Sequence, residues 1–266
     1  MNEDPAEIPG GGSPPLLSVV LATLNERANL PALFDRLGSL ALPSTEFLIV
    51  DDGSTDGTRE YVAERAARDA RFRLLVHEGK QTTLRAQCQG IDEARGEYLV
   101  IMDADLQHPP ETIPGILRGL EAGASLVVAS RYSPGGSPGP RAPMRFVLSH
   151  GAEWLAKLLL PSARPVSDPV SGFFGFRRTL WRPLDPRFRG YKLLLFVLVM
   201  ADRQRVSEVG FRFEPRASGA SKLTQGFAFI RIFLVELFHA RQFTASLRRA
   251  SARSGLSAGS PVHPRS

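Results

Sequence analysis

A single cysteine, Cys88, stands in a chain of 266 residues. It excludes an intrachain disulfide and leaves no set of thiolates for a structural zinc site, so a reducing compartment suits the protein. Long hydrophobic runs are missing too. The longest clean one, Leu193 to Ala201, falls well short of the roughly 20 residues that a membrane-spanning helix needs. The chain starts Met-Asn-Glu-Asp with Pro and Gly following, and lacks the basic patch and apolar stretch of a secretory signal. The expected location is therefore the cytoplasm, with membrane contact peripheral. There is no internal repeat, no dinucleotide-binding glycine fingerprint and no Walker-type phosphate loop; Gly10, Gly11 and Gly12 fall in a tail.

What is present is 43% hydrophobic residues and a net charge of +6, from 33 Lys and Arg against 27 Asp and Glu. That composition suits an α/β enzyme of one domain with appendages, and the charge favours anionic partners. Residues 1–15 and 246–266 are rich in Pro, Gly, Ser and Arg and read as disordered tails. Between them, runs rich in Val, Ile and Leu at 16–23, 46–50, 72–76, 98–102 and 126–129 read as strands buried on both faces. Helical spacing of apolar residues fills 26–38, 58–70, 85–94 and 110–122. The alternation predicts a mostly parallel, doubly wound α/β sheet flanked by helices, with ligands outside the carboxyl ends of its strands. Residues Arg131 to Pro143 carry too much Gly and Pro for regular structure and read as a mobile loop, a candidate lid.

The chemistry therefore belongs at the strand ends. The strand at 98–102 runs into Asp103-Ala104-Asp105-Leu106-Gln107-His108-Pro109-Pro110-Glu111, and residues two apart in an extended segment share a face. Asp103, Asp105 and Gln107 thus offer oxygen donors of the kind a hard cation, Mg²⁺ or Mn²⁺, takes beside a diphosphate; carboxylates merely capping the next helix are the plainer alternative. Asp51 and Asp52 open the run to Thr58 after the second strand, where nucleotides bind in such sheets, although any strand-to-helix turn favours these residue types. Thr23, Asn25 and Glu26 end the first strand, either lining a base pocket or, for Asn25, capping a helix.

Together, Ala22 to Glu26, Asp51 to Thr58 and Met102 to Glu111 resemble the inverting GT-A glycosyltransferases of the dolichyl- or polyprenyl-phosphate mannose synthase type, in glycosyltransferase family 2. Ala129 to Tyr132, Asp168 to Phe174, Gly190 to Lys192 and Phe213 to Leu223 agree with that subgroup, over roughly residues 16–243. The resemblance implies a Rossmann-like GT-A domain over 16–225, including an interface helix at 145–160, and a second interface helix at 226–245. It assigns the metal to Asp103, Asp105 and Gln107, and the donor to Thr23, Asn25, Glu26, Asp51, Asp52, Lys80 and Asp103. Arg131, Arg145, Ser149, Arg216 and Lys222 match positions around the acceptor phosphate, with Asp105, Arg131 and Arg145 at the reaction itself.

The activity so implied is transfer of mannose from GDP-mannose to a dolichyl or polyprenyl phosphate, with inversion, at the cytoplasmic face of a membrane, with nucleic acid not an expected partner. A transferase using a UDP-sugar is the near alternative, and a noncatalytic nucleotide or nucleic-acid binder the remote one. In two places the chain departs from the subgroup. Lys80-Gln81-Thr82-Thr83-Leu84-Arg85-Ala86 replaces a glycine-rich stretch, and Phe196 stands where a glutamate is usual.

Overall fold

The computed structural model describes residues 13–77, 82–139, 143–188, 190–201, 205–215 and 226–253, with the backbone alone for 143–148, 226–229 and 250–253. Five strands fall where the apolar runs predict: β1 Leu17–Thr23, β2 Thr45–Asp51, β3 Phe72–Val76, β4 Tyr98–Asp103 and β5 Leu126–Ser130. Two more, β6 Phe174–Arg177 and β7 Val206–Gly210, complete a seven-stranded sheet in the order β3-β2-β1-β4-β6-β5-β7. Strands β1 to β4 are mutually parallel where they pair, β6 runs antiparallel to both β4 and β5, and β7 lies parallel to β5.

The chain steps outward from β1 through β2 to β3 and then returns to place β4 on the other side of β1. That reversal falls between β1 and β4, and in sheets of this kind the carboxyl edge at the reversal is where ligands bind. Register fixes what lies along it: Thr23 pairs with Asp51, and Ala22 with Asp103. The ends of β2 and β4 are thus two strand spacings apart, roughly 10 Å.

Helices α1 Leu30–Ser39, α2 Thr58–Arg68, α3 Thr83–Asp92 and α4 Ile113–Glu121 follow the first four strands. α5 Pro143–Leu159, α6 Leu193–Met200 and α7 Gly226–Arg253 complete the described set. Because successive side chains of a strand face opposite ways, β1 feeds two cores. Val19 and Leu21 pack with Phe34 and Leu37 of α1, Val62 of α2 and Leu117 of α4. Val20 packs into the other layer with Leu84 of α3, Phe196 of α6 and Phe233 and Leu237 of α7. Each such side chain contributes about 1.5–3 kcal/mol by leaving water, which is what holds α7 against α6 and α5 in this layer.

Two local readings shift. The first helix starts at Leu30 rather than near Glu26, because residues 25–29 are spent on cross-links to the next loop, as described below. Regular helix at the C-terminal end continues to Arg253, beyond residue 245. The expected lid segment is tied down as far as Gly139: Ser137 bridges Arg212, donating its N–H to Phe211 O at 3.0 Å and accepting from Phe213 N at 2.8 Å.

Candidate active site

The ends of β1 and β2 are stitched into one loop cluster. Asn25 adopts φ +57, donates its N–H to Ser54 Oγ at 2.9 Å, and accepts from Thr55 N on its own Oδ1 at 2.8 Å. It therefore ties two strand-end loops together and does not cap α1, whose N-cap residue is Asn29. Glu26 N donates to Thr58 Oγ1 at 3.0 Å, and the Glu26 carboxylate accepts from Asn29 Nδ2 at 2.7 Å. Thr23 is buried and donates to Val50 O at 3.3 Å.

Asp51 is fully buried. Its Oδ2 accepts from Ser54 N at 3.2 Å and from Arg59 Nη2 at 3.1 Å, while Oδ1 has no hydrogen-bond partner among the described residues. A buried carboxylate oxygen without a donor is costly. Asp52 lies beside it, its N–H on Thr23 O at 2.9 Å.

Strand β4 stops at Asp103, so the alternation that would aim Asp103, Asp105 and Gln107 one way does not continue as extended chain. A tight turn replaces it. Leu106 takes φ +65, a conformation that costs a side-chain-bearing residue of order 1 kcal/mol and that concentrates at functional sites. Leu106 and Asn25 are the only non-glycine residues at positive φ among the described residues, and both lie on this edge.

In the turn, Asp105 is buried and its Oδ1 accepts from Gln107 N at 3.2 Å. Gln107 Nε2 donates to Glu214 O at 3.3 Å, which orients the amide with its oxygen as the remaining acceptor. The Asp103 side chain is 45% exposed. Two carboxylates and one amide form an all-oxygen donor set that suits a small hard cation. Among the described residues no cluster of three or more His, Cys, Asp and Glu side chains is placed to hold a metal, so Gln107 would have to act as a ligand with the two aspartates.

His108 sets the back of this turn. It is buried, and its Nδ1 accepts from Asp103 N at 3.0 Å, which leaves the ring proton on Nε2. The imidazole stacks on Phe173 at 5.2 Å and meets the edges of Phe211 and Phe213 at 5.6 and 5.9 Å. Burial holds its pKa below the ordinary value although Asp103 and Asp105 pull the other way. Neutral at physiological pH, it braces the β4 end without adding charge.

Arg131, just past β5, is gripped by Asp168. Its Nε lies 2.6 Å from Oδ2 and its Nη2 2.7 Å from Oδ1, with the carboxylate wholly buried and the Arg131 side chain 11% exposed. Burial lowers the Arg131 pKa, and the Asp168 carboxylate more than offsets this. Glu153 of α5 stands 3.8 Å away, its own pKa raised by burial. Ser149, one helical turn earlier, donates to Glu153 Oε1 at 3.4 Å.

The sequence reading gave no role to Lys192. Its Nζ donates to Val170 O at 2.9 Å. Burial and Arg131 lower its pKa, while Asp103, Glu236 and Asp168 oppose them, so its ammonium belongs to the same electrostatic cluster as the β4 and β5 ends. Of the remaining expected residues, Lys80, Arg216 and Lys222 lie outside the described residues, and Arg145 belongs to α5 by its backbone alone. In the departed stretch, Thr82 Oγ1 accepts from Arg85 N at 3.4 Å and caps α3, and Arg85 Nη1 reaches Asp185 O at 3.1 Å. Phe196 lies in the core beside Phe188, ring centres 5.5 Å apart.

Next to this edge, α5 and α7 turn apolar side chains outward. Trp154 and Leu158 on α5 are 66% and 52% exposed, and Ile230, Leu234 and Phe238 on α7 are 41%, 45% and 60% exposed. Their opposite faces are buried through Ala156, Phe233, Leu237 and Ala240. Among the described residues, no helix is long and apolar enough to cross a membrane.

A doubly wound sheet with an inserted antiparallel strand, acidic strand ends along its switch-point edge and a buried guanidinium beside them is the GT-A architecture of glycosyltransferases. Solved structures agree on the fold. Glucosyl-3-phosphoglycerate synthase from Mycobacterium tuberculosis, in complex with Mn²⁺, uridine-diphosphate-glucose and phosphoglyceric acid, superposes with a TM-score of 0.65 at 23% identity, over 85% of this chain and 80% of that one. The profile of Glycosyl transferase family 2 matches residues 18–184, and the chain belongs to that family.

Two curated relatives are each 36% identical, a dolichol-phosphate mannosyltransferase of Pyrococcus furiosus over 78% of this chain and one of Mycosarcoma maydis over 86%. A polyprenol monophosphomannose synthase of Mycolicibacterium smegmatis is 34% identical over 77%. The match spans 59% of the Pyrococcus protein's length, and 81% and 80% of the other two.

Proposed function

We propose that this chain transfers mannose from GDP-mannose to the phosphate of a dolichyl or other polyprenyl lipid, with inversion, at the cytoplasmic surface of a membrane. The observation that carries this reading is the sharing of one sheet edge by Asp51, Asp103, Asp105 and Arg131, next to two helices with exposed apolar faces. The names of the relatives support both the sugar and the class of acceptor.

A phosphate monoester with its second pKa near 6 is already largely dianionic at neutral pH, so no side chain need deprotonate it. An acceptor oxygen forms the new bond to the anomeric carbon from the face opposite the diphosphate. The bond from that carbon to the diphosphate oxygen breaks, and GDP leaves with the electron pair. The difficulty is electrostatic, because two anions must meet, and preorganised positive charge answers it.

Arg131, Arg145, Ser149, Arg216 and Lys222 orient the acceptor phosphate. Thr23, Asn25, Glu26, Asp51, Asp52 and Lys80 line the nucleotide, the partnerless Asp51 Oδ1 being suited to an N–H of the base or a ribose hydroxyl. Asp103, Asp105 and Gln107 hold Mg²⁺ or Mn²⁺, which when bound neutralises charge on the departing diphosphate. The outward faces of α5 and α7 rest on the lipid surface.

The test is transfer of radiolabel from GDP-mannose to a short polyprenyl phosphate, with UDP-glucose run in parallel. Asp105→Ala is expected to lower turnover by about a hundredfold or more, the loss of a ligand to a charge-neutralising ion, with thermal unfolding little changed. Near-normal turnover in Asp105→Ala, or undiminished transfer in chelator, would refute the metal role. A preference for UDP-glucose would replace the donor assignment and keep the acceptor chemistry.

A further inference from the structure

Glu236 lies on the inner face of α7 and is 1% exposed. Its Oε1 accepts two backbone N–H groups, that of Tyr191 and, at 2.7 Å, that of Lys192. These amides open α6, whose N-cap residue Lys192 makes no side-chain cap of its own. The carboxyl group of one helix therefore caps another, its oxygen accepting N–H groups that a helix start leaves without intrahelical partners. Gly190 completes the seat: it holds φ +148, and a Cβ there would overlap the Glu236 carboxylate. From the same turn the Lys192 side chain reaches the 168–172 peptide, its Nζ donating to Val170 O at 2.9 Å, and a Cβ at Gly172 of that peptide would lie 3.2 Å from Asp103 Oδ2.

We propose that Glu236 is a positioning residue: by clamping the backbone of 191–192 it holds the Lys192 ammonium at the edge shared with Asp103, where that cation meets the donor diphosphate. Helix α7 is then part of the active site as well as its apolar rim. The assignment deepens the transferase reading and rests on it for the kinetic arm of the test. The clamp itself is a backbone contact that can be measured without turnover.

The experiment uses the full chain with Glu236→Ala, Glu236→Leu and Glu236→Gln. Glutamine keeps an oxygen able to accept both N–H groups; leucine keeps the volume and removes the acceptor. Amide hydrogen exchange at residues 191 and 192 is expected to speed up about tenfold or more in the Ala and Leu variants, and to stay within about threefold of the parent in Gln, since a buried donor stripped of its acceptor loses its protection. Affinity for GDP with Mn²⁺, read by calorimetry, and the donor KM are expected to weaken about tenfold in Ala and Leu, with kcat changing less. In a Lys192→Met background Glu236→Ala should add no further loss, because the two residues act in series.

Unchanged exchange in both Ala and Leu would overturn the clamp. Full, multiplicative losses from Glu236→Ala and Lys192→Met would overturn the route through Lys192. If the parent transfers no sugar from any donor, the proposed function fails, while exchange and GDP binding still decide this inference.

Discussion

Removing the Asp168 carboxylate tests the idea that Arg131 is a prebuilt cation rather than a solvated one. The Asp168 side chain is fully buried, Arg131 is 11% exposed, and two short contacts of 2.6 and 2.7 Å join them. Asp168→Ala would leave a guanidinium buried without its partner, at a cost of about 3–5 kcal/mol. At roughly 2–4 °C per kcal/mol for a chain of this size, the midpoint of thermal unfolding should fall by roughly 6–20 °C. The exposed pair of Arg36 with Glu111, 30% and 52% exposed, is the control: Glu111→Ala should cost under about 1 kcal/mol. Replacing both partners, Arg131→Met with Asp168→Leu, removes the unpaired charge and should recover most of the stability while transfer stays lost. Circular dichroism melts and a transfer assay read both. A loss below about 1 kcal/mol in Asp168→Ala, or a double variant no more stable than the single one, would refute the reasoning.

Other outcomes follow from the same structure. Burial raises the Glu236 carboxyl to about 7, so between the unfolded carboxyl value near 4.5 and pH 7 the folded chain binds the extra proton. Stability from this group is therefore present at low pH and lost as pH rises through about 7, a contribution of roughly 3 kcal/mol; melts of the parent and of Glu236→Gln across pH 5 to 8 should differ in slope, and parallel curves would contradict this. Leu234→Glu with Phe238→Glu, both on the exposed stripe of α7, should reduce flotation with anionic vesicles about tenfold without shifting the melt; undiminished flotation would remove α7 from the lipid contact.

Strands β1, β2 and β4 were legible because they are buried on both faces and read as apolar runs, and β3, partly exposed at the sheet edge, because Leu74, Leu75 and Val76 still form a short apolar run. Strands β6 and β7 were not. Phe174–Arg177 is only four residues long, and in Val206–Gly210 the adjacent polar residues Ser207 and Glu208 break both the apolar run and the alternation, so neither gives a pattern to detect. At the candidate site, the placement of Asp51, Asp103 and Asp105 at strand ends was legible because a strand end is a local signal. The partners that hold the cations were hidden by distance in sequence: Asp168 is 37 residues from Arg131, and Glu236 is 45 from Tyr191. Only packing brings those pairs together, and no spacing rule encodes it. His108 lay inside a segment already singled out, but its role depends on Phe173, Phe211 and Phe213 closing around it.

Strand β6 enters the sheet against the direction of its neighbours. The loop that leads into it, rather than the one that leaves it, therefore reaches the reacting edge. One short peptide, Asp168 to Gly172, then touches both halves of the chemistry: Asp168 grips Arg131, and a side chain at Gly172 would press on Asp103 Oδ2 at 3.2 Å and on His108 at 3.1 Å. Lengthening this peptide by a residue would disturb Asp103 and Arg131 together, whereas an insertion beyond Arg177, at the far edge, would leave both undisturbed. Changes of length that spare both groups are thereby confined to other loops.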